Sequence, residues 1–333
     1  MVLVIDPQVA GISGDMILSS LVHLGASKSK IISGVNASQN FLHGSKIKKI
    51  DFKKVNKHGI MATSLVLQLD EHHHERKGME IQNCIKKTAD KIGLSESAKT
   101  FATDSIATLI KAESKIHGVP MDSVHFHEAS SIDTVIDIVG TAIALDDLRC
   151  FDQEIITTPV SVGSGTVTFS HGTVSNPTAA VLGIFEKSKI MISGSLVKDE
   201  LTTPTGASIL VNLADRCSEF YPMMKVKSIG YGAGQKNFEG FSNVLKIVHG
   251  ESSKSASLDS VTILETNVDD ISGEVLAHVI DKIMANGAKD VSVIQTITKK
   301  GRPSHMISVI CDSDSVSRLL NLLVSETGTL GVR

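Results

Sequence analysis

A chain of 333 residues, 41% hydrophobic and 21% charged, is long enough for two domains, one with a sizeable core. A formal net charge of -3 gives no basic excess to neutralise phosphates, and the absence of tryptophan and scarcity of tyrosine remove stacking platforms, so nucleic acid is excluded as a partner. Cys84, Cys150, Cys217 and Cys311 form no CxxC pair, and the opening run Val2 to Ile5 is too short for a leader or span, so reduced thiols, no membrane partner and a cytoplasmic location are expected.

In chain order, Met1 to Ile5 reads as a buried strand. The turn Asp6-Pro-Gln-Val-Ala-Gly-Ile-Ser-Gly-Asp15 then feeds a helix from about Gly14 to Leu24, with Ser13 as N-cap and Gly25 as stop. Strand, glycine-containing turn and helix aim free backbone N–H groups at an anion. Asp15 in the first turn would repel a phosphate unless a cation lay between them; its blander reading is a carboxylate complementing the helix dipole. No GxxxxGK[ST] occurs, so this is not a P-loop. Residues 46 to 70 read as two strands joined near Lys57-His-Gly59, and the tract Glu71-His72-His73-His74-Glu75 reads as a flexible metal-collecting loop. Residues 79 to 93 and 96 to 117 follow a helical pattern.

The densest chemistry lies in Asp122 to Asp137. With Val124 to Glu128 extended, His125 and His127 share one side and Phe126 faces the core. A helix starting near Ser131 puts Asp133 and Asp137 on one face, continued by Gly140, Thr141 and Ala144, while Ile132, Val135, Ile136, Val139 and Ile143 form an apolar stripe. Imidazoles with carboxylates suit zinc, nickel, manganese or iron, and the residues do not choose among them. The competing reading is a pair of surface histidines beside a capped helix.

Next come a strand from Glu154 to Val162, a glycine- and serine-rich turn through His171, and a helix from Ala179 to Phe185 with Asn176 as cap and Pro177 at the first position. Thr203 and Pro204 repeat that grammar for a helix through Leu213. Three loops thus deliver helix N-termini, and Thr202, Thr203 and Thr205 offer hydroxyls to an anionic small molecule. Gly230-Tyr-Gly-Ala-Gly234 reads as a turn and Asn243 to Val248 as a strand. The expected organisation is a larger mixed α/β (α+β) domain over 1–250, a linker over 251–259, and a smaller ferredoxin-like domain over 260–333, short of its last strand. That domain reads strand 261 to 268, helix 273 to 286, strands 290 to 298 and 306 to 311, and helix 314 to 325. Asp269 and Asp270 end its first strand and Lys299-Lys-Gly-Arg-Pro303 tips its hairpin. An acidic pair beside a basic loop can hold a metal-nucleotide triphosphate; the bland alternative is a charged turn.

Gly11-Ile-Ser-Gly-Asp-Met16, Val124-His-Phe-His-Glu128 with Asp133 to Gly140, Ser170-His-Gly172, Glu200-Leu-Thr-Thr-Pro-Thr-Gly-Ala207, Gly230-Tyr-Gly-Ala-Gly234, Glu265-Thr-Asn-Val-Asp-Asp270 and Lys299-Lys-Gly-Arg-Pro303 together resemble the LarC family, the nickel insertion proteins of nickel-pincer nucleotide synthesis. The resemblance implies a CTP-dependent cyclometallation of pyridinium-3,5-bisthiocarboxylic acid mononucleotide with Mn2+ or Mg2+, and a product passed to a lactate racemase-type apoenzyme. It also implies Ni2+ on His125, His127 and Glu128, fed by His72, His73 and His74. Asp15, Glu128 and Asp133 become the catalytic carboxylates. Ser13, Gly14, His171, Thr202, Thr203 and Thr205 become substrate contacts, and Asp269, Asp270, Lys299, Lys300 and Arg302 CTP contacts. A homo-oligomer is expected. Pro7-Gln-Val-Ala10 stands where relatives carry a cysteine-containing segment, and Thr-Val-Ser-Asn-Pro follows His171 where they carry a Pro-rich run. Relatives continue beyond a segment like Thr329 to Arg333, so the resemblance implies an incomplete second domain. A nickel store would need the histidine loop but not Asp15 and Thr203; a nucleotide hydrolase or kinase would need the Asp/Lys pairs but no nickel.

Overall fold

A computed structural model describes residues 1–71, 76–126, 131–169, 172–252 and 261–333. The chain forms two compact units, Met1–Ser253 and Lys254–Arg333.

The first unit opens with β1 (Val2–Asp6), α1 (Gly14–Leu24), α2 (Lys28–Ser38) and the hairpin β2 (Ser45–Lys57) and β3 (Ile60–Glu71). There follow β4 (Arg76–Lys77), α3 (Gly78–Ile92), α4 (Glu96–His117), β5 (His125–Phe126) and α5 (Ser131–Asp147). The chain continues through β6 (Glu154–Thr157), β7 (Val160–Val162), β8 (Thr166–Phe169), β9 (Gly172–Ser175), α6 (Ala179–Phe185) and β10 (Ile192–Gly194). It closes with α7 (Pro204–Leu213), β11 (Arg216–Cys217), β12 (Met224–Ala233) and β13 (Val244–Ser252).

Seven strands form one sheet in the order β11-β6-β1-β13-β12-β3-β2. β1 pairs parallel with β6 and antiparallel with β13, which makes this a mixed sheet. Leu3 and Ile5 join the large core under the helices, whereas Val2 and Val4 join Ile156 and Val248 in a small cluster, as strand alternation requires. That two-sided burial explains why β1 is a continuous apolar run rather than an alternating one. α5 is deeply enclosed: Ile132, Val135, Ile136, Ile138, Val139, Ala142, Ala144 and Leu145 are all buried. A helix apolar on nearly every side belongs inside the core. Its few polar positions, Asp133 and Asp137 among them, are therefore exceptions that need a reason.

Three expectations are corrected. Glu154 to Val162 is not one strand: β6 runs in the large sheet and β7 pairs instead with β10, because Pro159 has no N–H to continue a ladder. The helix α6 is capped not by Asn176 but by Thr178, whose hydroxyl accepts from Val181 N at 3.5 Å. Asn176 Nδ2 donates instead to Asp199 O at 2.6 Å. Finally, Gly230 to Ala233 is not a turn but the end of β12. α1 lies so close to that strand that a Cβ on Gly230 would sit 2.2 Å from Ser20 O, and one on Gly232 2.0 Å from Met16 O. The glycines mark helix-on-strand contact, not chain reversal.

The second unit contains β14 (Thr262–Val268), α8 (Gly273–Ala285), β15 (Asp290–Ile297), β16 (Pro303–Cys311) and α9 (Val316–Thr327). Its antiparallel sheet has the order β14-β16-β15, the first, third and second strands of a split βαβ unit. On the other edge of β14, Arg333 exchanges both backbone hydrogen bonds with Glu265, at 2.8 and 2.9 Å. Leu264, Val279, Ile283, Ile307, Val309, Leu319 and Leu323 form a separate core, which the alternation and helical periodicity of these elements anticipate.

Candidate functional site

Two loops of the first unit, 11–13 and 201–203, are stitched by backbone bonds from Ile12 N to Leu201 O (3.1 Å) and from Thr203 N to Ile12 O (3.0 Å). This sets the N-terminus of α1 beside that of α7. Gly206 makes the contact possible, since a Cβ there would lie 2.5 Å from Ile12 O. Thr203 caps α7 as its sequence implies, its hydroxyl accepting from Gly206 N at 3.1 Å. Ser13 stands at the α1 N-cap position but makes no side-chain cap bond; its hydroxyl donates to Asp15 Oδ1 instead.

Both termini open into a cavity of about 1340 Å³, which the start of α6 also lines through Thr178, Ala179 and Ala180. Of the sequence-derived residues, Ser13, Gly14, Asp15, His125, Asp133, Thr203 and Thr205 line it. Asp137 lines it too, although only its helical register with Asp133 had pointed there. Its carboxylate lies under the first turn of α1: a Cβ on Gly14 would be 2.2 Å from Asp137 Oδ2. Burial, then the charges of Asp15 and Asp133, hold the Asp137 carboxyl well above the ordinary carboxylate range. Asp15 is differently placed, because besides the Ser13 hydroxyl it accepts Gln235 Nε2 at 3.3 Å. Besides this acidic group, Lys53, Lys198 and Lys236 line the same cavity, with Lys236 paired to Asp199 at 2.6 Å. Gln235 and Lys236 had no sequence signal, since they follow the glycine segment misread as a turn.

His125 lies in β5, where Phe126 is buried in the core and the imidazole is half-buried. It also lines a second cavity of about 530 Å³ with His43, Arg76 and Glu80. His127, Glu128, His171 and the tract His72, His73 and His74 lie outside the described residues. The residues flanking that tract are tied together, Arg76 Nε standing 3.6 Å from Glu71 Oε1. Among the described residues no group of three or more His, Cys, Asp and Glu side chains is arranged to hold a metal. Thr202 is corrected: it is buried away from the cavity, and its hydroxyl donates to Ser161 O at 2.8 Å as a loop tie. The cysteines are free, and burial pushes the Cys84 and Cys150 thiols up to about 11, which leaves them poor ligands.

In the second unit, Arg302 Nη1 stands 3.8 Å from Asp269 Oδ2, so the hairpin tip and the end of β14 come together. Asp270 and Lys299 are exposed nearby in the chain, and the Lys300 side chain lies outside the described part. No helix among the described residues is long and apolar enough to cross a membrane.

The chain is similar to several known proteins. A protein of Methanosphaera stadtmanae, provisionally named a nickel insertion protein, is 38% identical over 336 residues, covering 100% of this chain and 81% of its own length. One of Methanothermobacter thermautotrophicus with the same name is 37% identical over 333 residues, covering 100% of this chain and 79% of its own. Among solved structures, LarC2, the C-terminal domain of a cyclometallase involved in synthesis of the NPN cofactor of lactate racemase, is 36% identical over 22% of this chain and 52% of its own, with a TM-score of 0.22. The family described as nickel insertion protein matches residues 3–333, and this mixed α/β chain belongs to it.

Proposed function

We propose that this protein inserts nickel into pyridinium-3,5-bisthiocarboxylic acid mononucleotide in a CTP-dependent cyclometallation. The observation that carries the reading is one cavity combining His125, an acidic floor of Asp15, Asp133 and Asp137, and a lysine-bearing wall. Its volume of about 1340 Å³ exceeds the several hundred Å³ usual for small-ligand sites (roughly 300–1,000 Å³), leaving room for a mononucleotide with its metal.

Nickel is the cargo. His125 with His127 and Glu128 would present it, since nitrogen and oxygen donors bind it well yet yield it to softer sulfur donors on the substrate. Lys53 and Lys198 with the Thr203 and Thr205 hydroxyls suit the phosphate end. The α1 terminus, crowded by Asp15 and Asp137, suits it less. Asp269 and Asp270 would hold Mn2+ or Mg2+ with CTP, which supplies charge neutralisation of the triphosphate, and Lys299, Lys300 and Arg302 would contact its phosphates. Transfer of the product to a lactate racemase-type apoenzyme, a cytoplasmic location and a homo-oligomeric state complete the proposal.

Incubation with the thiolated nucleotide, Ni2+, CTP and Mg2+ should yield a product heavier by one nickel less the displaced hydrogens, read by mass and absorbance. Nickel uptake with no metallated product would leave a storage protein; CTP cleavage indifferent to nickel would leave a hydrolase. His125→Ala with His127→Ala should abolish transfer while the thermal midpoint stays within a few degrees.

A further inference from the structure

Forming a nickel–carbon bond at a ring C–H position requires a base, and the three carboxylates of the cavity floor are not equivalent. Asp15 accepts hydrogen bonds on both oxygens, from Ser13 and Gln235, and sits in the first turn of α1. Asp133 lies in the first turn of α5. Asp137 lies one turn deeper, between the buried Ile136 and Ile138, and its carboxylate is fixed under Gly14 while still lining the cavity.

Resting on the function proposed above, we infer that Asp137 is the base that takes the ring proton during nickel insertion. The C–H bond breaks, its electron pair becomes the nickel–carbon bond, and the proton passes to the Asp137 carboxylate. No oxidant or reductant is involved, because nickel remains divalent. Three features support the choice. The seat under Gly14 leaves the carboxylate little freedom, so its geometry is set before the substrate arrives. Its environment separates it from its two neighbours, the arrangement by which adjacent carboxylates come to play different roles. Burial gives it the raised proton affinity a base needs, and an incoming dication would favour its ionised form. Besides His125, Lys198 and Lys236 named above, the titratable groups facing the cavity are Glu113 and His117 of α4, Lys53 of β2, and Asp199 and Glu200 before α7.

The test is single-turnover insertion into the thiolated nucleotide carrying hydrogen or deuterium at the reacting carbon, with nickel and CTP present. The wild type is expected to show a rate that climbs with pH and slows on deuteration. Asp137→Asn should insert at least about 100-fold more slowly, with unchanged nickel and nucleotide affinities, and should lose the pH dependence. Asp137→Glu should recover part of the rate with a displaced pH profile. An Asn variant within threefold of wild type, or one keeping the wild-type profile, overturns the assignment. Should that variant not fold, a Glu variant whose pH profile is unshifted overturns it equally. A wild type that makes no metallated product overturns the proposed function itself, and this inference with it.

Discussion

Asp137 sets a sign for the pH dependence of stability. Unfolded, its carboxyl ionises near 3.8, whereas folded it keeps its proton to much higher pH, through burial first and then the charges of Asp15 and Asp133. The native state therefore binds more protons across that window, and stability falls as pH rises through it. Asp137→Asn should flatten that slope in denaturant titrations above pH 3.8; an unaltered slope would show that other groups set it. Gly14→Ala tests the same seat from the opposite side. The new methyl would meet Asp137 Oδ2 at 2.2 Å, so insertion should fall while α1 helicity, read by circular dichroism, is retained. Of this site the sequence showed the ingredients, and in the case of Asp133 and Asp137 the register. It did not show that Asp15, some 120 positions earlier in the chain, would face them, because nothing local encodes that meeting.

At the level of elements, the parts that frame the cavity are helix starts. Thr203→Ala removes the acceptor for Gly206 N, and should cost about 1 kcal/mol in chemical denaturation. Gly232→Ala acts on packing instead: its Cβ would lie 2.0 Å from Met16 O, backbone that cannot swing aside, so a loss of about 2 kcal/mol is expected. Helix ends were legible because caps and stops are local chemistry: α1, α4, α7 and α8 begin within a residue or two of where their sequences place them. The departures from expectation have two physical causes. Gly230 and Gly232 look like turn residues, yet they lie in a strand because a helix presses on it, a demand made by a neighbour rather than by the segment. Pro159 carries the opposite lesson, since the strand break it dictates is local and was overlooked among β-branched residues.

Across the whole molecule, the two units divide the chemistry: the cavity lies wholly within the first, and the Asp269–Arg302 pair within the second. Replacing Lys299 and Arg302 by Ala should weaken CTP binding, measured by calorimetry, while leaving nickel binding unchanged; equal loss of both would contradict that division. By itself the sequence determined the mixed α/β class and the kinds of side chain available to line the cavity, since periodicity, caps and charge are written within short windows. Only the tertiary structure decided which residues meet. It laid three helix starts around one cavity, turned Thr202 inward as a tie and left Thr203 facing the space. It also buried Asp137 beneath α1, which raises its proton affinity above that of an ordinary helix-face carboxylate. Those outcomes depend on desolvation and on charges from distant segments, and both exist only once the chain has packed.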